Sequence, residues 1–313
     1  MPAAARTRRL PFISEDVIRM KLRKLEPHLF LLPSYIVLIA FMGYPLVNCV
    51  RISFLHYQLT RPNDIAFAAF ANYAKIFAQP EFPMILGNTV KYVALSVALQ
   101  FALGFMLALA LKTPFKGRNA YQGAVFLPWA ISGFVVGLTF QWMFNGEFGV
   151  INDLLLKMGL VQSKIAFLGS MGTALGTVVF AQVWVGFVFF AIMLLAALQS
   201  VDKSLYEAAT VDGAGALRKF LSVTIPSIKP TITVTILLRI VWVFNNAELI
   251  YIMTRGGPAN SSNTLASYMF MKAYASLDFG LAGALGVLFM LALTVFSLLY
   301  FKFTRFMEGG ESL

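Results

Sequence analysis

Long apolar runs alternate with short polar segments along the whole chain. Six runs are long enough to cross the roughly 30 Å hydrocarbon layer of a bilayer as helices. They cover residues 29–50, 90–111, 120–144, 174–198, 228–251 and 279–301. A soluble protein can bury one such run as a core helix, but six together predict an all-α polytopic membrane protein with six transmembrane helices. The third run carries Pro128, which predicts a kink, and Gly133 and Gly137, whose spacing suits close helix contact. Between the runs the pattern predicts short surface helices over residues 72–77 and 83–88. A glycine-rich loop follows at Gly146, Gly149 and Gly159, then a turn at Gly256-Gly257-Pro258 and a helix over residues 265–275. No fixed-period repeat and no linker divides the chain. Its parts are a basic N-terminal segment (1–28), a membrane domain (29–303) and a short tail (304–313).

Composition agrees with the pattern. Hydrophobic residues make up 59% and charged residues only 12%, against about 25% charged in soluble domains. Most of the 25 Lys and Arg residues fall before residue 29, around 112–118, in 199–227 and in the tail. The positive-inside rule then places both termini and the 199–227 loop in the cytoplasm. The net charge of +11 follows from topology and calls for no nucleic acid; basic segments suit anionic lipid headgroups. Residues 1–28 hold Pro2, Pro11 and Pro27, with room for a surface helix over 17–25. The first run is too long for a signal-peptide core and reads as a retained anchor. Cys49 stands alone, which excludes an internal disulfide, and Asn260-Ser261-Ser262 reads as a chance match to a glycosylation acceptor.

One polar stretch interrupts the apolar chain. Ser204 and Glu207 have capping-box spacing, which predicts a helix start at Ser204. Asp212-Gly213 is a stop, since Gly tolerates left-handed backbone. A second short helix fits residues 214–221, with Arg218 and Lys219 in its last turn. Glu207-Ala208-Ala209, three residues, Gly213, nine residues and Val223-Thr224-Ile225-Pro226 resemble the signature loop of permease subunits in binding-protein-dependent ABC importers. Val223 and Ile225 depart mildly from the commoner Ile and Leu. Asn72-Tyr73, Phe126-Leu127-Pro128-Trp129, Phe148-Gly149-Val150-Ile151-Asn152 and Arg255-Gly256-Gly257-Pro258 look like the sugar-uptake branch, and the likeness covers about residues 28–303.

The resemblance implies a type I ABC importer permease fold in a bacterial inner (plasma) membrane. It makes Glu207, Ala208, Ala209, Asp212, Gly213 and Ala214 the surface coupled to an ATPase. Implied partners are a second, related permease in a heterodimer, two ATP-binding subunits, an extracytoplasmic solute-binding protein and a sugar. ATP and Mg are implied in the ATPase partners, with no cofactor in this chain.

Polar groups inside apolar spans are costly and mark places to look for function. Gln182 and Gly186 share a face of the fourth span, with Phe189 nearby. Arg239, Trp242 and Asn246 form one helical stripe of the fifth, while Asn245 and Glu248 point elsewhere on a continuous helix. Likeness to the maltose-importer permease selects Val185, Gly186, Phe189, Arg239, Trp242 and Asn246 as substrate contacts, with Arg239 departing from that pattern. The plainer readings are aromatic packing, an interhelical bond for Asn246, a helix cap for Glu207 and an internal pair for Arg239. An internal pair is favoured over contact between Arg239 and an anionic substrate. The two histidines, His28 and His56, are far apart, and no metal, phosphate-loop or nucleophile-elbow motif occurs. The chain therefore reads as a non-enzymatic permease. Import of a polyol phosphate or other non-sugar, or a non-transporting membrane scaffold, are the competing readings.

Overall fold

A computed structural model describes residue 28 and residues 30–304. The expected helix over 17–25 and nearly all of the tail lie outside the described residues. The chain falls into two units, residues 1–51 and 52–313. The first contains all but the last two residues of helix α1 (Phe30–Ser53), which is wound more widely over Ile39–Gly43.

The second unit opens with a two-stranded ribbon that an all-α reading did not anticipate. Strand β1 (Leu55–His56) pairs antiparallel with β2 (Ala66–Phe67). Helix α2 (Ala71–Ala78) lies where a helix over 72–77 is expected. Its Asn72 amide donates to the Ser53 and Leu55 carbonyls, both at 2.9 Å. Tyr73 Oη donates to Ser53 Oγ at 2.8 Å. The Asn72-Tyr73 pair therefore fastens α2 to the start of this unit.

Helix α3 (Phe82–Lys112) is longer than the expected second span. Residues 83–88 are its first turns and not a separate surface helix. Pro83 sits in the first turn, where no backbone N–H has an intrahelical partner to lose. The expected third span is two helices, α4 (Arg118–Phe126) and α5 (Gly133–Met143), which meet at 93°. A tight 3-10 turn over Leu127–Ala130 contains Pro128. Ile131 and Ser132 then adopt extended backbone, so the chain breaks fully where only a kink was expected. Helix α6 (Val150–Lys157) follows. Asn152 clamps the loops around α6, donating to Asn145, Gly146 and Ile165 carbonyls and accepting from Ile165 N–H.

Helix α7 (Ala174–Ser200) is the most buried span and forms the centre of the core with α3. Contact is close because α3 has Gly104 there: a Cβ would stand 2.5 Å from Phe187 O and Phe190 Cβ of α7. Helices α8 (Lys203–Val211) and α9 (Ala216–Lys219) form a knuckle after it. Residues 214–221 are not an isolated helix. From α9 the chain passes through a π turn (Phe220–Thr224) directly into α10 (Ile225–Asn245). Arg218 and Lys219 consequently sit in a continuing helix, away from any C-terminal carbonyls.

Helix α10 ends at Asn245, and α11 (Glu248–Met253) starts after a two-residue break. Helix α12 (Leu265–Tyr274) is capped reciprocally by Thr264 and Ser267, as a helix over 265–275 requires. Helix α13 (Phe279–Thr304) closes the unit. Among the described residues five helical stretches are long and apolar enough to cross a membrane, and the bent pair α4–α5, taken as one span, makes a sixth. A second apolar cluster joins Ile76, Ile85, Leu265, Leu281 and Leu285.

Candidate functional site

Three helices meet around a buried polar group. Gln100 on α3 and Arg239 on α10 are 0% and 6% exposed. Arg239 Nε donates to Gln100 Oε1 at 2.5 Å, and Gln100 Nε2 donates to the Gln182 carbonyl of α7 at 2.7 Å. Gly186 on α7 makes the pairing possible. A Cβ there would overlap Arg239 Nη2 and the Gln100 amide. The internal partner of Arg239 is thus a neutral amide, Gln100. No ion pair to Arg239 occurs among the described residues.

Gln182 extends the network. Its side-chain carbonyl accepts from Asn246 Nδ2 at 3.1 Å, and Asn246 Oδ1 accepts from Leu249 N–H at 3.3 Å. Asn246 therefore bridges to α7 and caps α11. Its backbone is extended, which ends α10. Trp242 packs on Phe189 with ring centres 5.0 Å apart.

Around the break lies an open cavity of about 780 Å³. Its lining includes Trp242, Asn245, Asn246, Glu248, Tyr251 and Phe270. Phe270 extends the aromatic wall, packing edge-on against Tyr251 and tilted against Tyr274. Glycines on α5 support this wall from behind. A Cβ on Gly133 would be 2.7 Å from Glu248 Oε2, and one on Gly137 would be 2.9 Å from Ile252. The close contact expected of these two glycines is made with α11.

The six residues selected from the sequence divide into two sets. Trp242 and Asn246 line the cavity, whereas Val185, Gly186, Phe189 and Arg239 do not. Gly186, Phe189 and Arg239 are buried behind it, and half-buried Val185 packs against the core. Sequence reasoning missed Gln100, Asn245 and Glu248. Gln100 was detectable as one of a buried series on α3 with Tyr92 and Ser96, four residues apart. Asn245 and Glu248 were assigned to another face by a helical phase that the break interrupts.

A second candidate surface is the knuckle. Asp202, and not Ser204, caps α8 by accepting from Ser204 N–H at 2.9 Å. Bonds from the Ser204 backbone N–H and hydroxyl hold the Asp202 carboxyl below the usual range. Glu207 is therefore not part of a capping box. Gly213 has φ of +74° and ends α8 as expected. Glu207, Ala208, Asp212 and Gly213 are exposed, and Ala209 and Ala214 half-buried. Val211 and Leu217 project beside them, 88% and 72% exposed. Tyr206 anchors the knuckle: its hydroxyl meets Lys112 Nζ at 3.1 Å and Thr224 Oγ1 at 2.9 Å. Among the described residues no cluster of three His, Cys, Asp or Glu could hold a metal ion.

Comparison with known proteins places this architecture. Residues 100–309 match the model of the binding-protein-dependent transport system inner membrane component. The chain is 36% identical over 267 residues to the sulfoquinovosyl glycerol transport system permease protein SmoG of Agrobacterium fabrum, covering 85% of this chain and 86% of that protein. It is 32% identical over 279 residues to the trehalose/maltose transport system permease protein MalF of Thermococcus litoralis, covering 89% and 93%. Its fold is similar to that of a chain in the crystal structure of a bacterial ABC transporter involved in the import of the acidic polysaccharide alginate. The TM-score is 0.78 at 24% identity, with 93% of this chain and 98% of that one covered. With six possible spans, an exposed knuckle between the fourth and fifth, and a cavity beside a broken helix, the chain belongs to the family of inner-membrane components of binding-protein-dependent transport systems.

Proposed function

We propose that this chain is the translocating permease subunit of an ATP-driven importer for a sugar or sugar derivative. The observation that carries the reading is the cavity of about 780 Å³ at the Asn246–Ala247 break. Amide side chains of Asn245 and Asn246 face it beside Trp242, Tyr251 and Phe270. Amides both donate and accept, which suits hydroxyls, and aromatic faces suit the apolar faces of sugar rings. Interrupted helices that line a cavity are a recurrent way of binding solute within a membrane. The two relatives named above are permeases for glycosides or disaccharides, in keeping with this chemistry.

Trp242 and Asn246 contact the substrate in this reading. Val185, Gly186, Phe189 and Arg239 set their positions from behind. Glu207, Ala208, Ala209, Asp212, Gly213 and Ala214 form the cytoplasmic surface that docks on an ATP-binding subunit. Tyr206 passes its movement to α3 and to the start of α10. ATP and Mg belong to two such partner subunits. A second permease completes the pathway in a heterodimer, and an extracytoplasmic binding protein delivers the sugar. Both termini are cytoplasmic in the inner membrane.

A non-transporting scaffold needs no open cavity with amide side chains in its wall. A polyol phosphate importer would place a cation on the cavity wall, and none lines it among the described residues. The test is co-purification of the chain with an ATPase whose turnover rises when sugar-loaded binding protein is added. Unstimulated turnover, or no associated ATPase, overturns the reading.

A further inference from the structure

Two charged side chains nine positions apart in the fifth span meet opposite environments. Arg239 is buried, bonds Gln100 and lies against Gly186. Its guanidinium is not among the groups lining the cavity, and Phe189 packs on Trp242 one helical turn further on. Glu248 is exposed at the cavity wall. It has no hydrogen bond and no ion pair among the described residues, and Gly133 leaves room for its carboxylate. Among the described residues the cavity has one carboxylate and no Lys, Arg or His in its lining.

We infer that Glu248 is a specificity-determining residue that selects uncharged, hydroxyl-rich sugars and excludes anionic ones. The inference rests on the sugar-uptake reading and adds the charge class of the substrate. A carboxylate is an acceptor with two oxygens, so it pairs with sugar hydroxyls, which donate. The same group repels a sulfonate, uronate or phosphate. Specificity arises from an opposing charge as well as from a favourable contact. An anionic substrate would need a cation in reach, and the cation of this span is committed to Gln100.

This assigns distinct roles to the two charges. Arg239 joins α3 to α10 for any substrate, and Glu248 reads the substrate.

The experiment is uptake by the complete importer in cells lacking other routes for the sugars tested. Radiolabelled neutral mono- and disaccharides are each paired with a uronic acid or sulfonated counterpart. Wild type is compared with Glu248→Gln and Glu248→Ala, with membrane levels measured alongside. The expected result is wild-type import of a neutral member and not of its acidic counterpart. Glu248→Gln should keep neutral uptake within about threefold, because an amide oxygen still accepts, and Glu248→Ala should lose about tenfold or more. Import of an acidic member by wild type, or normal neutral uptake by Glu248→Ala, overturns the inference. Import of no sugar of either kind overturns the sugar-uptake reading beneath it, a distinguishable failure.

Discussion

The knuckle between α8 and α9 and the break between α10 and α11 are both interruptions of helix, but they are built in opposite ways. The knuckle is held mostly by neighbours in sequence. Asp202 caps Ser204, Lys219 donates to Thr210, and Gly213 supplies the left-handed turn. Among the described residues only Tyr206 hydrogen-bonds further, to Lys112 and Thr224. It turns apolar Val211 and Leu217 outward, as a surface awaiting a partner does. The break is held by groups far apart in sequence: Asn246 to Gln182, Gln182 to Gln100, and Gln100 to Arg239. A locally held element can move as a unit against the protein. A break tied to α3 and α7 moves only when those helices do. The contrast suits an importer in which the knuckle receives a push and the cavity changes as the bundle rearranges.

The largest expected effect tests the receiving side. Glu207→Lys reverses an exposed charge that makes no hydrogen bond or ion pair among the described residues. Its effect on the fold should be small and its effect on a docked partner large. Uptake should be abolished with the subunit still at normal level in the membrane. Normal uptake removes Glu207 from coupling, while loss of the subunit itself would show that the knuckle is structural.

Next in size is Gly186, where the expectation from sequence needs revision. Read as a cavity residue, Gly186→Trp blocks passage and leaves assembly intact. The position is instead filled by Arg239 and Gln100. Even Gly186→Ala forces that pair apart, and overpacking typically costs about 1–3 kcal/mol. The assembled complex should fall for both variants, far more for Trp, as read by co-purified ATPase. A full yield of complex with Gly186→Trp would restore the cavity reading.

The buried pair gives a smaller and asymmetric effect. Gln100→Ala leaves a guanidinium in a membrane interior, where an unpaired cation costs at least about 2.5 kcal/mol. Arg239→Met leaves only a neutral amide short of one partner, with a penalty of about 1–3 kcal/mol. Both should lower thermal stability of the complex, Gln100→Ala by more. Equal stabilities, or loss of uptake by Arg239→Met in a fully stable complex, would move Arg239 from support to substrate.

The same division explains what the sequence disclosed. The spans were legible because burial in lipid demands long apolar runs. The end of α8 was legible from Gly213, and α12 from its own apolar pattern. Signals that act through space were not. Pro128 announces a bend, but the full break follows from extended Ile131 and Ser132. Ser204 and Glu207 have the right spacing for a cap, yet Asp202 is better placed to accept from the first N–H groups. Glu248 was set on another face because a helical wheel assumes continuity, and Asn246 breaks it. Several motifs that resemble the sugar-uptake branch prove to be clamps. Asn72 and Asn152 tie loops, and the turn after Gly256 offers the Asn260 and Ser261 carbonyls to Asn88. A motif can therefore mark membership of a family without marking its chemistry.

The smallest expected effect lies at the Asp202 cap. Its bonds from Ser204 lower the carboxyl's proton affinity in the folded knuckle. A depressed carboxyl contributes stability that is fully present above its unfolded value, near about pH 4. The contribution fades as pH falls through the folded value. The side chain is fully solvated, so the effect is local and the knuckle should be unchanged at neutral pH. Asp202→Asn retains a capping oxygen and should preserve coupling, whereas Asp202→Ala removes it and leaves the helix start uncapped. Hydrogen exchange of the first α8 amides should accelerate in Asp202→Ala and not in Asp202→Asn. The amides around Asn246 should be unaffected, because among the described residues no hydrogen bond joins the cap to the break. Faster exchange at both places would show that the knuckle and the break are coupled even at rest, and would remove the contrast between a locally held receiver and a remotely held site.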